Sequence, residues 1–106
     1  MDARERYDDL ADFLTFRYDF VEQRQMMGMP CVTARGRIVA GFSKGEDAMV
    51  FKLPDAEQRE AALALDGAHL FDPSGRRQPF REWVVVPAAH AERWEELAEH
   101  ALRPSG

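Results

Sequence analysis

The side chains that could do chemistry are few and scattered. Cys31 is the only cysteine. A nucleophilic thiol needs a neighbouring base or cation to lower its pKa. No histidine or lysine lies within ten residues of Cys31, although Arg35 does; the residue reads as a small buried hydrophobe. His69, His90 and His100 are widely spaced, with no His-x-x-x-His or His-Glu-x-x-His among them. Zinc and related ions need several convergent ligands, so no metal is expected. His100 reads as a solvated residue near a helix C-terminus, where positive character is favourable. The carboxylate pairs Asp8-Asp9, Glu46-Asp47 and Glu95-Glu96 fall on predicted helix surfaces or turn tips. General acid-base pairs need a cleft that drives their pKa values apart. The nearest approach to a phosphate-cradling loop is Gly75-Arg76-Arg77, which lacks the strand-loop-helix context such a loop requires. The expectation is a protein without catalytic residues or cofactor.

Cations are the one exception to this sparseness. Arg76, Arg77 and Arg81, joined by Arg35, Arg37, Lys44 and Lys52, form a basic set with Phe80 and Trp83 beside it. Phosphate-pairing cations and stacking aromatics are the ingredients of a nucleic-acid surface. Segments 31–53 and 73–87 together hold three acids and seven bases, whereas the whole chain carries a net charge of −5. The acidic segments are those that read as helices and the basic ones those that read as strands. The overall acidity opposes long-range attraction to nucleic acid, which makes nucleic-acid binding the alternative reading rather than the first.

The elements that must position these residues are legible from periodicity. Tyr7, Leu10, Ala11, Leu14, Tyr18 and Val21 recur at helical spacing, widened by Phe13, Phe16 and Phe20. The pattern predicts a first helix that ends before Met26-Met27-Gly28-Met29-Pro30, with Met27, Gly28 and Pro30 setting its angle to the sheet. Cys31–Arg35, Ile38–Ser43 and Met49–Leu53 read as a three-stranded meander, turned at Arg35-Gly36-Arg37 and at Lys44-Gly45-Glu46-Asp47. Gly41 within the second strand predicts a bulge or a close contact. Pro54, Asp55 and Glu57 start a helix that runs to about Leu65 and stops at Asp66-Gly67. His69–Phe71 reads as a short edge strand before the tight turn Asp72-Pro73-Ser74-Gly75. Phe80–Val86 is the last strand, and Pro87 opens a final helix with a Trp94, Leu97, Ala98, Ala101, Leu102 stripe. Residues 103–106 read as a frayed tail.

The order α-βββ-α-β(β)-α predicts a two-layer α+β domain with an antiparallel sheet backed by helices. The 106 residues are enough for one domain and one core. The N-terminus lacks the apolar stretch of a signal peptide, no run is long enough to span a membrane, and the single thiol suits a reducing compartment; a cytoplasmic protein is expected.

Met27-Gly28-Met29-Pro30, Gly36-Arg37, Phe51-Lys52-Leu53-Pro54, Phe71-Asp72-Pro73-Ser74-Gly75-Arg76 and Trp83-Val84-Val85-Val86-Pro87 occur in that order. In these landmarks the chain resembles the N-terminal domain of the TfoX (Sxy) bacterial competence-regulator family over residues 20–103, with the YjbR-like group the next most similar. The resemblance implies an antiparallel sheet backed by helices, similar in architecture to type III secretion chaperones, and implies no reaction. Folds of that kind use an uncovered sheet face for self-association or for holding another protein. Along the last strand Trp83 and Val85 share one face, and Phe80, Val84 and Val86 the other. The expectation is therefore a non-enzymatic protein-interaction domain with a regulatory role, self-associating or binding another protein. Its contact face is Arg81, Trp83 and Val85, with Arg76 and Arg77 at the rim.

Overall fold

A computed structural model describes residues 2–26, 28–72 and 80–103. The predicted turn at Pro73-Ser74-Gly75, together with Arg76, Arg77, Met27 and residues 104–106, lies outside the described residues. The described elements are α1 (Ala3–Arg17), β1 (Val21–Met26), β2 (Met29–Ala34), β3 (Arg37–Ser43), β4 (Ala48–Lys52), α2 (Ala56–Leu63), β5 (His69–Phe71), β6 (Phe80–Pro87) and α3 (Trp94–Leu102). A 3₁₀ segment, Ala88–Arg93, joins β6 to α3. The strands form a single antiparallel sheet in the order β1-β2-β3-β4-β6-β5, and the two-layer α+β class follows from it.

Two predicted boundaries are corrected. The first helix stops at Arg17, and residues expected to extend it form β1. Val21 fits a helical stripe, while Glu22–Gln25 are polar throughout and exposed, with no periodicity of their own. The strand prevails because all six of its residues pair in register with β2, from Val21 opposite Ala34 to Met26 opposite Met29. Gly28, at φ +83°, consequently turns the β1–β2 hairpin instead of joining a helix to the sheet. The second correction concerns the final helix. Pro87 opens the 3₁₀ segment, His90 departs from helical geometry (φ −110°, ψ 26°), and α3 begins at Trp94.

Local chemistry accounts for the other ends. Asp2 and Asp55 cap α1 and α2, each carboxylate accepting the backbone N–H three residues on. Arg35 and Gly36 both take positive φ, 54° and 83°, in the tight turn between Ala34 and Arg37, a geometry that matches the twist of a hairpin. Gly41 is the predicted close contact. A Cβ there would stand 2.8 Å from Met29 Cε and 3.1 Å from the Pro30 carbonyl oxygen. One register irregularity of the sheet lies nearby, between Val32 and Thr33 of β2 against β3.

The three described helices lie on one face of the sheet. Tyr7, Ala11 and Leu14 of α1, Ala62 of α2 and Trp94, Leu97 and Ala98 of α3 share one core with Val32, Phe42, Met49, Phe51, Val84 and Val86. Trp94 anchors it by donating Nε1–H to the Val86 carbonyl at 3.2 Å. The opposite face carries a separate cluster built from strand residues alone: Ala48, Val50 and Val85, with Phe71 and Trp83 packed against them. The expected alternation of Met49, Phe51 and Leu53 toward the core is present.

Candidate functional site

The face away from the helices is organised by register. Arg24, Cys31, Gly41, Val50, Val85 and His69 stand opposite one another in a row across the sheet. The middle of that row is dry: Cys31, Val50 and Val85 are at most 1% exposed. Val85 therefore supports Trp83 from below and offers no surface of its own. Trp83 is half-buried, while Arg81 and Phe80 are exposed. Phe80 meets Phe71 edge-on at 6.0 Å between ring centroids. Cys31 behaves as the sequence predicts, because burial pushes its thiol pKa up, against a smaller opposing effect of Arg24.

The histidines stand apart and each is engaged separately. His69 Nε2 lies 2.8 Å from Glu46 Oε1, and its Nδ1 is 3.2 Å from the Gly67 carbonyl. His90 Nε2 meets the Asp66 carbonyl at 2.8 Å. His100 is half-buried rather than solvated; its Nδ1 lies 3.0 Å from Gln58 Nε2, linking α3 to α2. Among the described residues no cluster of His, Cys, Asp and Glu could hold a metal ion.

Much of the basic set is gathered at one end of the sheet. Arg35, Arg37 and Lys52 line a cleft of about 260 Å³ with Arg103, against Pro54, Val39 and Leu102. Arg35 is held in place: its guanidinium lies over the Phe20 ring at 4.0 Å and donates to the Leu102 carbonyl at 3.4 Å. Arg59 donates to the Leu53 and Pro54 carbonyls at the same end, both at 3.0 Å. Arg81 follows there too, because Leu53 N–H donates to the carbonyl of its neighbour Glu82 at 2.7 Å. Lys44 is separated from them, in the β3–β4 turn at the other end. Arg103 was missed by sequence reasoning, since nothing in an apparent tail signals that the end of α3 returns to the β2–β3 turn.

A second missed feature is the free edge of β1. Among the described residues β1 has a neighbour on one side only. Arg35 N–H donates to the Phe20 carbonyl at 3.0 Å. Antiparallel ladders alternate, so Glu22, Arg24 and Met26 direct their backbone groups to β2, and Gln23 and Gln25 direct theirs outward. The run Glu22-Gln23-Arg24-Gln25 is polar throughout and exposed, so no alternation marks it as a strand.

Two α1 aromatics also depart from expectation. Phe16 is 90% exposed, and Phe13 borders an open cleft of about 410 Å³ between α1 and the 3₁₀ segment. They do not widen the core stripe; Leu10 alone of that flank packs partly against it.

No helix among the described residues is long and apolar enough to cross a membrane. The chain matches no family model, no curated protein and no solved structure. Among the described residues, fold and site together define a six-stranded antiparallel α+β structure with a cationic end and a long edge strand, β1.

Proposed function

We propose that this chain is a regulatory protein-interaction domain of the TfoX N-terminal type, which works by binding a polypeptide strand and not by catalysis. The observation that carries the reading is the outer edge of β1. Its six residues pair with β2 in unbroken register, and it contains neither proline nor lysine. Edge strands are ordinarily blunted by short length, bulges, proline or charged side chains, lysine above all, because unpaired N–H and C=O groups template further pairing; β1 has only the opposite charges Glu22 and Arg24, which pair with each other. The other edge, β5, fits that rule: it has three residues and a register shift at Leu70/Phe71. An extended segment adding to β1 would bond to Gln23 and Gln25 through its main chain. Selection from a library of random extended peptides, followed by amide NMR, tests this. Selected peptides that shift the Gln23 and Gln25 amides support the reading, and the absence of binders at that edge overturns it.

The cationic end of the sheet favours a second reading, a nucleic-acid-associated regulator. Among the described residues no carboxylate lines the Arg35, Arg37, Lys52 and Arg103 cleft. Anisotropy titration of labelled single-stranded and duplex DNA at low salt distinguishes the two. Steeply salt-dependent binding that is lost in Arg37→Ala/Lys52→Ala supports this reading; flat curves at micromolar protein remove it.

A further inference from the structure

We infer that the occupant of the β1 edge is a second copy of the same chain, paired antiparallel about a two-fold axis at Gln23; this rests on the reading of β1 as a binding edge. The argument is one of self-complementarity. In an isologous contact each residue meets its partner twice, so an edge strand pairs with itself only if its own charges match when reversed. Glu22 and Arg24 stand on one face of β1, both exposed, and within the chain they form an ion pair of 2.7 Å. An axis at Gln23 sets Glu22 opposite Arg24 of the other copy, and Arg24 opposite its Glu22.

The backbone allows this axis, as it allows any axis centred on a residue, and excludes those that fall between residues. Outward-directed residues must pair with outward-directed residues. With the axis at Gln23 the two Gln23 residues exchange N–H···O=C bonds, and Gln25 N–H meets the Val21 carbonyl of the other copy on either side. Val21 N–H is already engaged with the Tyr18 carbonyl at 3.2 Å, which limits the ladder at that point. Glu22 and Arg24 then occupy the non-hydrogen-bonded positions, where opposing side chains come closest. Moving the axis by one residue places either Glu22 opposite Glu22 or Arg24 opposite Arg24, and like charges directly opposite are unfavourable. Larger moves shorten the ladder. Among the registers that hydrogen-bond direction allows, charge thus selects this one, which would join the two sheets edge to edge with the described helices on one side.

Charge exchange followed by sedimentation velocity tests this. The wild type is expected to show a concentration-dependent monomer–dimer equilibrium. Glu22→Arg and Arg24→Glu each create like-charge pairs and are expected to weaken it by roughly tenfold or more. Mixing the two variants restores complementary pairs in a heterodimer, and the double exchange Glu22→Arg/Arg24→Glu restores the homodimer. Unchanged thermal unfolding of the variants excludes misfolding, since both side chains are exposed. A wild type that stays monomeric at millimolar concentration overturns the inference while leaving the peptide test of the edge independent. A dimer indifferent to both reversals overturns it as well, by placing self-association on another face.

Discussion

Gly41→Ala is expected to destabilise the fold although alanine is ordinarily the better strand residue. Gly41 has no positive φ that would demand glycine. On backbone entropy alone the change should stabilise by about 0.5–1 kcal/mol. Two contacts oppose it. The new Cβ would lie 2.8 Å from Met29 Cε, the end of a flexible side chain, and 3.1 Å from the Pro30 carbonyl oxygen, which belongs to the paired strand β2. Displacing Met29 from its rotamer costs roughly 0.5–1.5 kcal/mol. Shifting β2 by a few tenths of an ångström adds overpacking strain of about 1–3 kcal/mol. The net loss is about 0.5–4 kcal/mol, and at the centre of that range, about 2 kcal/mol, Tm falls by roughly 8–16 °C for a domain of this size. Urea unfolding, read as a change in midpoint at constant slope, is the assay. Met29→Ala removes the first contact and leaves the second, so Gly41→Ala should cost less in that background by about 0.5–1.5 kcal/mol. A Gly41→Ala protein as stable as the wild type, or strict additivity with Met29→Ala, would refute the packing argument.

Alkaline pH should unfold the domain through its buried acids. Burial pushes the Tyr7 phenol well above its ordinary value and raises the Cys31 thiol. The unfolded chain therefore loses these protons first. The stability they contribute is complete below their unfolded pKa values and declines above about pH 8.5 for the thiol and about pH 10 for the phenol. Urea midpoints measured across that range should fall, less steeply above about pH 10 in Tyr7→Phe; equal slopes in both proteins would contradict the assignment. Trp94→Phe should cost about 2–3 kcal/mol, combining the lost bond to the Val86 carbonyl with the space left by the smaller ring. Thermal unfolding within 1 °C of wild type would mean that the 3.2 Å contact contributes nothing. Cys31 should react with a maleimide only as fast as the protein opens, so a labelling rate matching that of a free thiol would contradict its burial.

The readable parts of this fold were those whose cause is local. Asp55 caps α2 because its carboxylate reaches the N–H of Gln58, and that geometry is implied by an Asp placed just before a helix. The turns at Arg35-Gly36 and Lys44–Asp47 follow from glycine and polar residues between alternating apolar runs. Trp83 and Val85 share a face because side chains alternate along any strand. The stripe from Trp94 to Leu102 predicts the buried side of α3, which the core bears out.

Where local signals tied, the outcome depended on a partner elsewhere in the chain. Val21–Met26 fits the end of a helical stripe and carries no alternation of its own, and only pairing with Met29–Ala34 makes it a strand. Phe13 and Phe16 look like core residues until the helix ends and the sheet takes Phe20 instead, against Tyr18 and Arg35. The cationic cleft draws on the β2–β3 turn, the end of β4 and the end of α3, so no spacing rule could assemble it. Sequence periodicity by itself determined the class of the elements other than β1 and the apolar side of β4 and α3, because those depend on residues within a turn or two. Tertiary structure alone decided that β1 is a strand with a free edge and that Arg103 joins Arg35, Arg37 and Lys52. Hydrogen-bond ladders and charge clusters form between segments distant in sequence, and their energy is not written in either segment alone.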